Sequence, residues 1–407
     1  MMADNHSFTT ELLLCQDHKM TENIIMSSDC YRIDENNPSD PHLLNLYHGK
    51  LYDIIGQEET GRKVSFLTFQ FTETASTMRR RLDSLSALAP LNVARTCCVS
   101  PLKALIHRPF LCIGSIQIKE PIMLRVDIPC LLIEQVSTLT FDVWHQTSSK
   151  EDLTSFFRSL FSAMGMFHQD GNYFGNIRAG IRISANRPIF AFPAVKATEC
   201  DQGVRDDLWE LKKMVLDSKV SGNHERELFD KLCERYVECN GNYKYNGESL
   251  RDGSFLITHC PVVWTATDRY DFIRKLGEYR DQNKCFYDQL TSDTSKKAIP
   301  IDFWTRIETA EQSTLAFKLQ PLYYYDNRNT MSYSSTESIR QLHRCGYEHK
   351  LHGYPLWLDM EKIFYSVFPE APASLYAMMI NRLYSKSNTW MPPIINFLQH
   401  GPHKFNL

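Results

Sequence analysis

The sequence predicts an α+β protein in which a strand-rich part is followed by helical parts. Short runs of β-branched and aromatic residues, separated by turn signals, fill residues 43–135 around one amphipathic stretch. From Glu151 onward the apolar residues recur at helical spacing instead. With 407 residues, of which 43% are apolar, the chain is long enough for two or three domains with real cores.

The strand-rich part is predicted to open with a β-hairpin. Leu51–Ile55 and Val64–Phe71 flank the segment Glu59–Arg62, whose glycine and polar residues are typical of a turn. After one helix, the sequence predicts three more strand-like runs, at Asn92–Val99, Phe110–Ile118 and Met123–Glu134.

Three amphipathic helices are predicted from apolar stripes at helical spacing. The first covers Thr77–Leu88, the second covers Glu151–His168, and the third follows Arg205–Asp207. Their inward-facing residues are Leu82, Leu85 and Leu88 in the first; Leu153, Phe156, Phe157, Leu160, Phe161 and Met164 in the second; and Leu208, Leu211, Met214 and Val215 in the third.

The first 41 residues are polar and without pattern, and we expect them to form a flexible tail. Residues 1–15 lack the basic start and long apolar stretch of a signal peptide. Runs such as Pro129–Ile133 are far shorter than the roughly 20 apolar residues of a membrane span. We therefore expect no membrane segment in this chain and a cytoplasmic location.

Composition excludes some classes of protein. The formal net charge of −3 does not call for nucleic acid or an anionic membrane as partner, and 12% aromatic residues is too many for a highly charged disordered chain. The twelve cysteines are scattered without a CxxC pair. This pattern argues against a zinc module and favours thiols in a reducing compartment.

Leu131–Leu139, Met166–His168 and Asp207–Leu211 carry a resemblance to protein kinases. The first is similar to the last strand of the small lobe and the hinge. The second is similar to the Leu-His that ends a kinase helix before the catalytic loop. The third is similar to the start of the large central helix, whose aspartate braces that loop. The resemblance implies a bilobal, protein-kinase-like fold.

The charged groups of kinase chemistry are missing from the matching positions. Kinases use H-R-D-x-x-x-x-N, a metal-binding aspartate in D-F-G and a strand lysine. In the best match, Phe174–Ile181, Asn176 stands in place of the base and Ile181 in place of the metal ligand. The D-F-G position holds Ala191, and Ser65–Thr68 lacks the lysine. The resemblance therefore implies a pseudokinase.

Two points about the kinase-like part stay open. A second register through His168–Asp170 would recover an aspartate, but it would place Asn176 one residue too far along and shorten the preceding helix. Nucleotide binding without metal, as ATP or ADP, also stays open because an adenine slot needs only hinge backbone and apolar walls.

Five segments farther along the chain are similar to the ribonuclease part of RNase L and its endoplasmic-reticulum stress relative. They match the junction to the kinase fold, with one cysteine inserted, then the catalytic helix and loop, and then the closing helices. The segments are His259–Trp264, Asp268–Ile273, Ser338–His349, Asp359–Pro369 and Leu375–Met379.

The two resemblances together imply a pseudokinase followed by an all-α ribonuclease domain of the KEN type. The implied organisation is a tail at 1–41, a pseudokinase domain at 42–258 and a KEN-type domain at 259–400. Within the pseudokinase, the N-lobe covers about 42–136 and the C-lobe about 137–258.

The resemblance also implies catalytic residues. The family uses an Arg-Asn pair and a histidine five residues after the arginine, and Arg344 and His349 have that spacing. Cys345 replaces the asparagine, and Arg340 lies one helical turn before Arg344 as a further substrate contact. The helix is shorter than the family's, so Tyr333 is only the nearest candidate for the family's catalytic tyrosine.

These residue types suit cleavage of RNA without a metal ion. The 2′-hydroxyl attacks its own phosphate, which requires a base, an acid and a cation for the developing charge. Histidine suits proton transfer and arginine suits bidentate phosphate contact. The resemblance implies RNA as partner, a back-to-back homodimer, products with 2′,3′-cyclic phosphate ends, and no required cofactor.

Two alternatives to an active nuclease remain. An arginine and a histidine near a helix end are also typical surface groups or C-cap partners of the helix dipole. A family member that kept the fold and lost both chemistries would be a scaffold. Cys345 and the shortened helix favour the scaffold, whereas the spacing of Arg344 and His349 favours the enzyme.

Overall fold

The computed structural model of the chain divides into two compact units. The first holds the described residues up to Ser148 together with Ala163–Leu211, and the second holds Ser149–Ser162 and the described residues from Lys212 onward. The domain boundaries implied by the sequence resemblance fall elsewhere and remain predictions. The structure describes residues 22–32, 43–53, 62–69, 71–108, 111–113, 116–118, 122–194, 199–218, 220, 222–238, 250–272, 307, 309–313 and 357–385.

An antiparallel five-stranded sheet lies in the first unit. Its strands are β1 (Glu22–Arg32), β2 (Leu43–Asp53), β3 (Arg62–Phe69), β4 (Thr96–Arg108) and β7 (Ile122–Glu134), in the order β1-β2-β3-β7-β4. Between β4 and β7 along the chain, β5 (Leu111–Ile113) and β6 (Ile116–Ile118) pair with each other.

Strand β1 lies inside the segment 1–41 that the sequence assigned to a flexible tail. It pairs antiparallel with β2, with Ile24 opposite Leu51 and a shift of register between Met26 and Cys30. Its β-branched residues favour an extended chain. Its polar residues interrupt the alternation of polar and apolar residues by which a strand is predicted from sequence. Residues 22–32 are therefore a strand of the sheet rather than part of a tail.

The predicted hairpin corresponds to the pairing of β2 with β3, in which His48 faces Ser65 and Leu51 faces Arg62. Its turn falls in residues 54–61, outside the described residues. Strand β2 begins eight residues before the predicted strand, at Leu43 rather than Leu51. The alternation of polar and apolar residues in this part of β2 was too irregular to mark it in the sequence.

Helix α1 (Thr72–Leu88) packs against β3, β4 and β7. The predicted helix began at Thr77, so the helix extends five residues farther toward its amino end. Leu82 and Leu85 are fully buried as predicted, whereas Leu88 at the last position is only half-buried. Helix α1 thus lies on the sheet through one apolar stripe.

Helices and a short hairpin follow the sheet along the chain. The helix predicted over 151–168 is confirmed as α3, and the helix predicted after Asp207 begins earlier, at Cys200. The elements are α2 (Phe141–Trp144), α3 (Lys150–Gln169), α4 (Ile177–Gly180), the antiparallel strands β8 (Ile181–Ser184) and β9 (Arg187–Phe190), and α5 (Cys200–Asp217).

The described part of the second unit is helical. Helix α6 (Asn223–Cys233) packs against α7 (Leu250–Thr258), the 3₁₀ turn (Pro261–Val263) and α9 (Ala371–Ser385). Both segments predicted as closing helices are helical. Among the described residues, no helix has the length and apolar character needed to cross a membrane. The elements are α6 (Asn223–Cys233), a π-helical turn (Glu234–Glu238), α7 (Leu250–Thr258), the 3₁₀ turn (Pro261–Val263), α8 (Trp357–Val367) and α9 (Ala371–Ser385).

Candidate functional site

A buried carboxylate of α5 braces the loop that follows α3. Asp207 is fully buried and accepts hydrogen bonds from the backbone N–H groups of Phe174, at 2.7 Å, and Gly175, at 2.6 Å. His168 Nε2 lies 3.1 Å from the same carboxylate. These hydrogen bonds offset the free-energy cost of burying a carboxylate, and they hold the loop in place. The kinase resemblance implied this bracing role for Asp207.

Asn176 follows the braced residues in a left-handed turn. Its φ of 52° is a conformation that asparagine adopts more readily than most residues. Gly175 before it has a φ of 78°, and a Cβ there would lie 2.6 Å from the Cβ of Ala194. The side chain at position 176 is an amide, which cannot accept a proton as a carboxylate can.

The two other residues that the kinase resemblance singles out, Ile181 and Ala191, lie close together where the β8–β9 hairpin begins and ends. Ile181 opens β8 opposite Phe190, and Ala191 directly follows β9. The carbonyl of Gly180 accepts hydrogen bonds from the N–H groups of Ala191, at 3.0 Å, and Phe192, at 3.2 Å. Ile181 and Ala191 are both fully buried and apolar, so neither supplies an oxygen to a metal ion.

The segment of β3 where a kinase lysine would lie is also uncharged. Ser65 is fully buried, and its hydroxyl accepts a hydrogen bond from the N–H of Val136 at 3.1 Å. No residue of Ser65–Thr68 carries a basic side chain. Asp170, the aspartate of the second register, is exposed at the end of α3 and accepts a hydrogen bond from Asn172 at 2.9 Å.

The junction segment that resembles RNase L is packed into the core of the second unit. The Trp264 ring lies 4.7 Å from Phe272 and 5.7 Å from Tyr376 between centroids, and its Nε1 donates to the carbonyl of His259 at 3.2 Å. The Tyr376 hydroxyl donates to the carbonyl of Leu256 at 2.8 Å. The junction and one closing helix therefore share one core.

The His259 side chain is stacked on Phe255, with 4.1 Å between the ring centroids. Its Nδ1 lies 2.9 Å from the Phe255 carbonyl, which accepts a hydrogen bond from it. Desolvation lowers the pKa of His259 to about 4, so this ring is neutral near pH 7. Burial also raises the pKa of the neighbouring Cys260 thiol.

A buried group of charged residues, which no sequence pattern predicted, includes Arg269 of the junction segment. Arg269 Nε lies 2.9 Å from Glu361 Oε1, and its guanidinium stacks 3.8 Å from the centroid of the Tyr365 ring. Tyr365 in turn donates to Glu225 Oε1 at 2.5 Å. Burial and the charge of Glu225 raise the pKa of Tyr365, which keeps its hydroxyl protonated as a donor.

The predicted ribonuclease residues fall in residues 314–356, outside the described residues. Their roles therefore remain predictions from the sequence. Within the described ranges, no three His, Cys, Asp or Glu side chains are grouped as metal ligands. The predicted residues are Tyr333, Arg340, Arg344, Cys345 and His349.

The chain matches no protein-family model and no curated protein sequence. Its resemblance to kinases and to RNase L therefore rests on the motifs quoted from the sequence.

Proposed function

We propose that this chain is a pseudokinase joined to a helical, KEN-type ribonuclease domain, and that it cleaves single-stranded or loop RNA without a metal ion. One observation carries the first half of the proposal. The loop braced by Asp207 has Asn176 at its turn. Two buried apolar residues, Ile181 and Ala191, lie near each other where the adjoining β8–β9 hairpin begins and ends.

The order of the elements supports a kinase-like fold. An antiparallel sheet carrying one helix is followed along the chain by α3, the braced loop, a short hairpin and α5. Asp207 holds the N–H groups of the two residues that directly precede Asn176. This supports the register in which Asn176, rather than Asp170, takes the position of the catalytic base.

Loss of phosphoryl transfer follows from the chemistry of these positions. Phosphoryl transfer depends on positioning and on neutralising the charge of the phosphates and their metal ions. An amide at 176 and aliphatic side chains at 181 and 191 supply neither a base nor a metal ligand. The cleft could still take ATP or ADP without metal, since base binding needs only backbone groups and apolar walls.

The ribonuclease half of the proposal rests on the sequence motifs and on the core around Trp264 and Tyr376. In the proposed reaction the 2′-hydroxyl loses its proton to a base and its oxygen bonds to the adjacent phosphorus. The bond from phosphorus to the 5′-oxygen then breaks, and His349 delivers a proton to that oxygen. Arg344 holds the phosphate, Arg340 and Cys345 contact the RNA, and Tyr333 is the remaining candidate for a catalytic role.

RNA is the substrate, and a back-to-back homodimer brings two ribonuclease domains to it. The location is the cytoplasm. Sedimentation at tens of micromolar protein with RNA should show self-association that increases with concentration, and a strict monomer would remove the support for a dimeric nuclease.

Incubation of the purified chain with a hairpin RNA, with and without EDTA, tests the function. We expect cleavage in the loop that EDTA leaves unchanged, because the proposed reaction needs no metal ion. EDTA-sensitive cleavage would point to a contaminating nuclease or to another mechanism. RNA that stays intact at every protein concentration would contradict the nuclease.

A catalytically inactive scaffold is the second candidate function. Cys345, which replaces a neutral donor to phosphate, and the shortened helix before it favour this alternative. A scaffold would self-associate and bind RNA or protein partners without cleaving RNA. Self-association together with intact RNA is therefore the result that separates the scaffold from the nuclease.

A further inference from the structure

Helix α1 and the braced loop are joined by one arginine. Arg81 donates from Nη2 to the backbone carbonyl of Tyr173 and from Nη1 to Asn172 Oδ1, at 3.2 Å. Its guanidinium also lies over the Tyr173 ring, 4.7 Å from the centroid. A planar, permanently charged group that donates twice and stacks once fixes direction as well as distance.

The same tyrosine also contacts α5. A Cβ at Gly203 would lie 2.3 Å from the nearest atoms of the Tyr173 ring, so the ring contacts the helix backbone directly. The thiol of Cys200 donates to the carbonyl of Gly171 at 2.9 Å, one turn earlier on that helix. The Tyr173 ring thus contacts both the Arg81 guanidinium and the backbone of α5.

The loop is therefore tied on both sides by groups of the chain itself. Asp207 holds Phe174 and Gly175 from α5, and Arg81 holds Asn172 and Tyr173 from α1. Burial lowers the pKa of Arg81, but it remains charged at neutral pH because an arginine starts far above that range. Helix α1 packs on β3, β4 and β7, so the contact at Arg81 also links the sheet to the loop.

We propose that Arg81 is a positioning residue that locks helix α1 to residues 170–176, so that α1 holds one position with or without nucleotide. In active kinases, the helix at this place is set by an ion pair with the strand lysine, which also contacts the nucleotide phosphates. Ser65–Thr68 has no lysine to make that pair. The inference rests on the proposed pseudokinase and adds that its conformation is constitutive rather than switched by nucleotide.

Hydrogen exchange of the full chain tests the lock, read in α1 and in residues 170–176. The N–H of Asn172 is protected by the Phe167 carbonyl at 2.7 Å, and those of Phe174 and Gly175 by Asp207, so the loop has amides to follow. Arg81→Met should speed exchange in both segments by about tenfold to a hundredfold, as expected when hydrogen bonds to a charged group are lost. Arg80→Met is the matched control, since Arg80 is exposed and, among the described residues, its hydrogen bond goes to Thr77 of its own helix.

Faster exchange in α1 and the loop for Arg81→Met, with Arg80→Met unchanged, supports the lock. Unchanged exchange in Arg81→Met, or a change confined to the loop, overturns it. In the wild-type chain, millimolar ADP or ATP should leave hydrogen exchange in α1 unchanged. A tenfold slowing would overturn the claim that α1 holds one position with or without nucleotide. These readings do not involve RNA cleavage or phosphotransfer, so failure of the lock is distinct from failure of the proposed function.

Gly203→Ala keeps the test decisive if Arg81→Met unfolds the whole chain. Alanine in place of glycine normally stabilises the interior of a helix by roughly 0.5–1 kcal/mol. Here the added Cβ would displace the Tyr173 ring from α5 and should loosen its contact with Arg81. Faster exchange in both α1 and the loop supports the lock, and unchanged or slower exchange there overturns it.

Discussion

The hydroxyl of Tyr365 donates a hydrogen bond to Glu225 Oε1 at 2.5 Å, which joins α8 to α6 across 140 residues of sequence. Glu225 is almost fully buried, and its other oxygen, Oε2, has no hydrogen-bond partner among the described residues. The tyrosine hydroxyl is therefore a principal partner of a buried carboxylate. Its loss should matter more than that of an ordinary tyrosine hydroxyl.

We expect Tyr365→Phe to lower the free energy of unfolding by about 2–3 kcal/mol, because it leaves a buried carboxylate without this donor. Tyr376→Phe is the matched control, since its hydroxyl donates to a neutral carbonyl, that of Leu256, and should cost only about 1 kcal/mol. Urea midpoints for the three proteins measure the difference. An equal or larger loss in Tyr376→Phe would contradict the importance given to Glu225.

Arg269→Met should be among the most destabilising single changes in the second unit. The side chains of Arg269 and Glu361 are 13% and 1% exposed, and breaking such a buried pair costs about 3–5 kcal/mol because a buried carboxylate loses its arginine. Adding Glu361→Gln should recover part of that loss, because it removes the buried charge that Arg269 no longer neutralises. Soluble yield and urea midpoints provide the measurement.

The control for that change is Arg79→Met on the surface of α1. Arg79 and Asp83 are 45% and 52% exposed and 3.6 Å apart, and such pairs contribute about 0–1 kcal/mol. Two results would show that the Arg269–Glu361 pair does not stabilise the second unit more than a surface pair does. One is an equal shift of the urea midpoint in Arg79→Met and Arg269→Met, and the other is a further loss of stability when Glu361→Gln is added to Arg269→Met.

Periodicity was enough to predict the long helices because their buried residues recur every three or four positions. Phe156, Phe157 and Leu160 mark α3 in this way without reference to the rest of the chain. Strand β1 was missed because Asn23, Ser27 and neighbouring polar residues break the alternation that marks a half-buried strand. Strand β1 is defined by its pairing with β2, so its own residues show no clear strand pattern.

The paired charges could not be predicted, because they depend on contacts between distant segments. Charged residues are mostly exposed in folded proteins, so no pattern in the sequence marks Glu225 and Glu361 as buried. The contact of Arg81 with Tyr173 likewise joins residues 92 positions apart. The predicted ribonuclease residues Arg344 and His349 lie outside the described residues, so their proposed roles rest on the sequence motif.

The chain should transfer no phosphate from ATP to itself or to a peptide, with either Mg²⁺ or Mn²⁺. Asn176, Ile181 and Ala191 stand at the positions that the kinase resemblance matches to the base and the two metal ligands. Asn176→Asp should remain inactive, because it restores the base but neither metal ligand. Phosphorylation above a blank without protein, in the wild type or in this variant, would contradict the pseudokinase.

The stability of the second unit should fall as the pH drops from about 6.5 to about 4. The pKa of His259 is lowered to about 4 in the folded chain, so the unfolded chain binds a proton there at higher pH than the folded chain does. His259→Gln keeps a donor for the Phe255 carbonyl and cannot titrate, so its urea midpoint should depend less on pH across this window. Identical slopes of urea midpoint against pH for the two proteins would show that His259 does not contribute to the pH dependence of stability.

Cleavage of a hairpin RNA in EDTA by the wild type and by His349→Ala tests the central claim most directly. We expect wild-type products that end in 2′,3′-cyclic phosphate, and we expect His349→Ala to cut about 10²–10⁴-fold more slowly while remaining folded, because the leaving 5′-oxygen would lack its proton donor. Arg344→Lys should be nearly as slow, since a point charge cannot copy the guanidinium fork, and Cys345→Asn should be as active as the wild type or more so. Full activity in His349→Ala, or no cleavage by the wild type, would contradict the account.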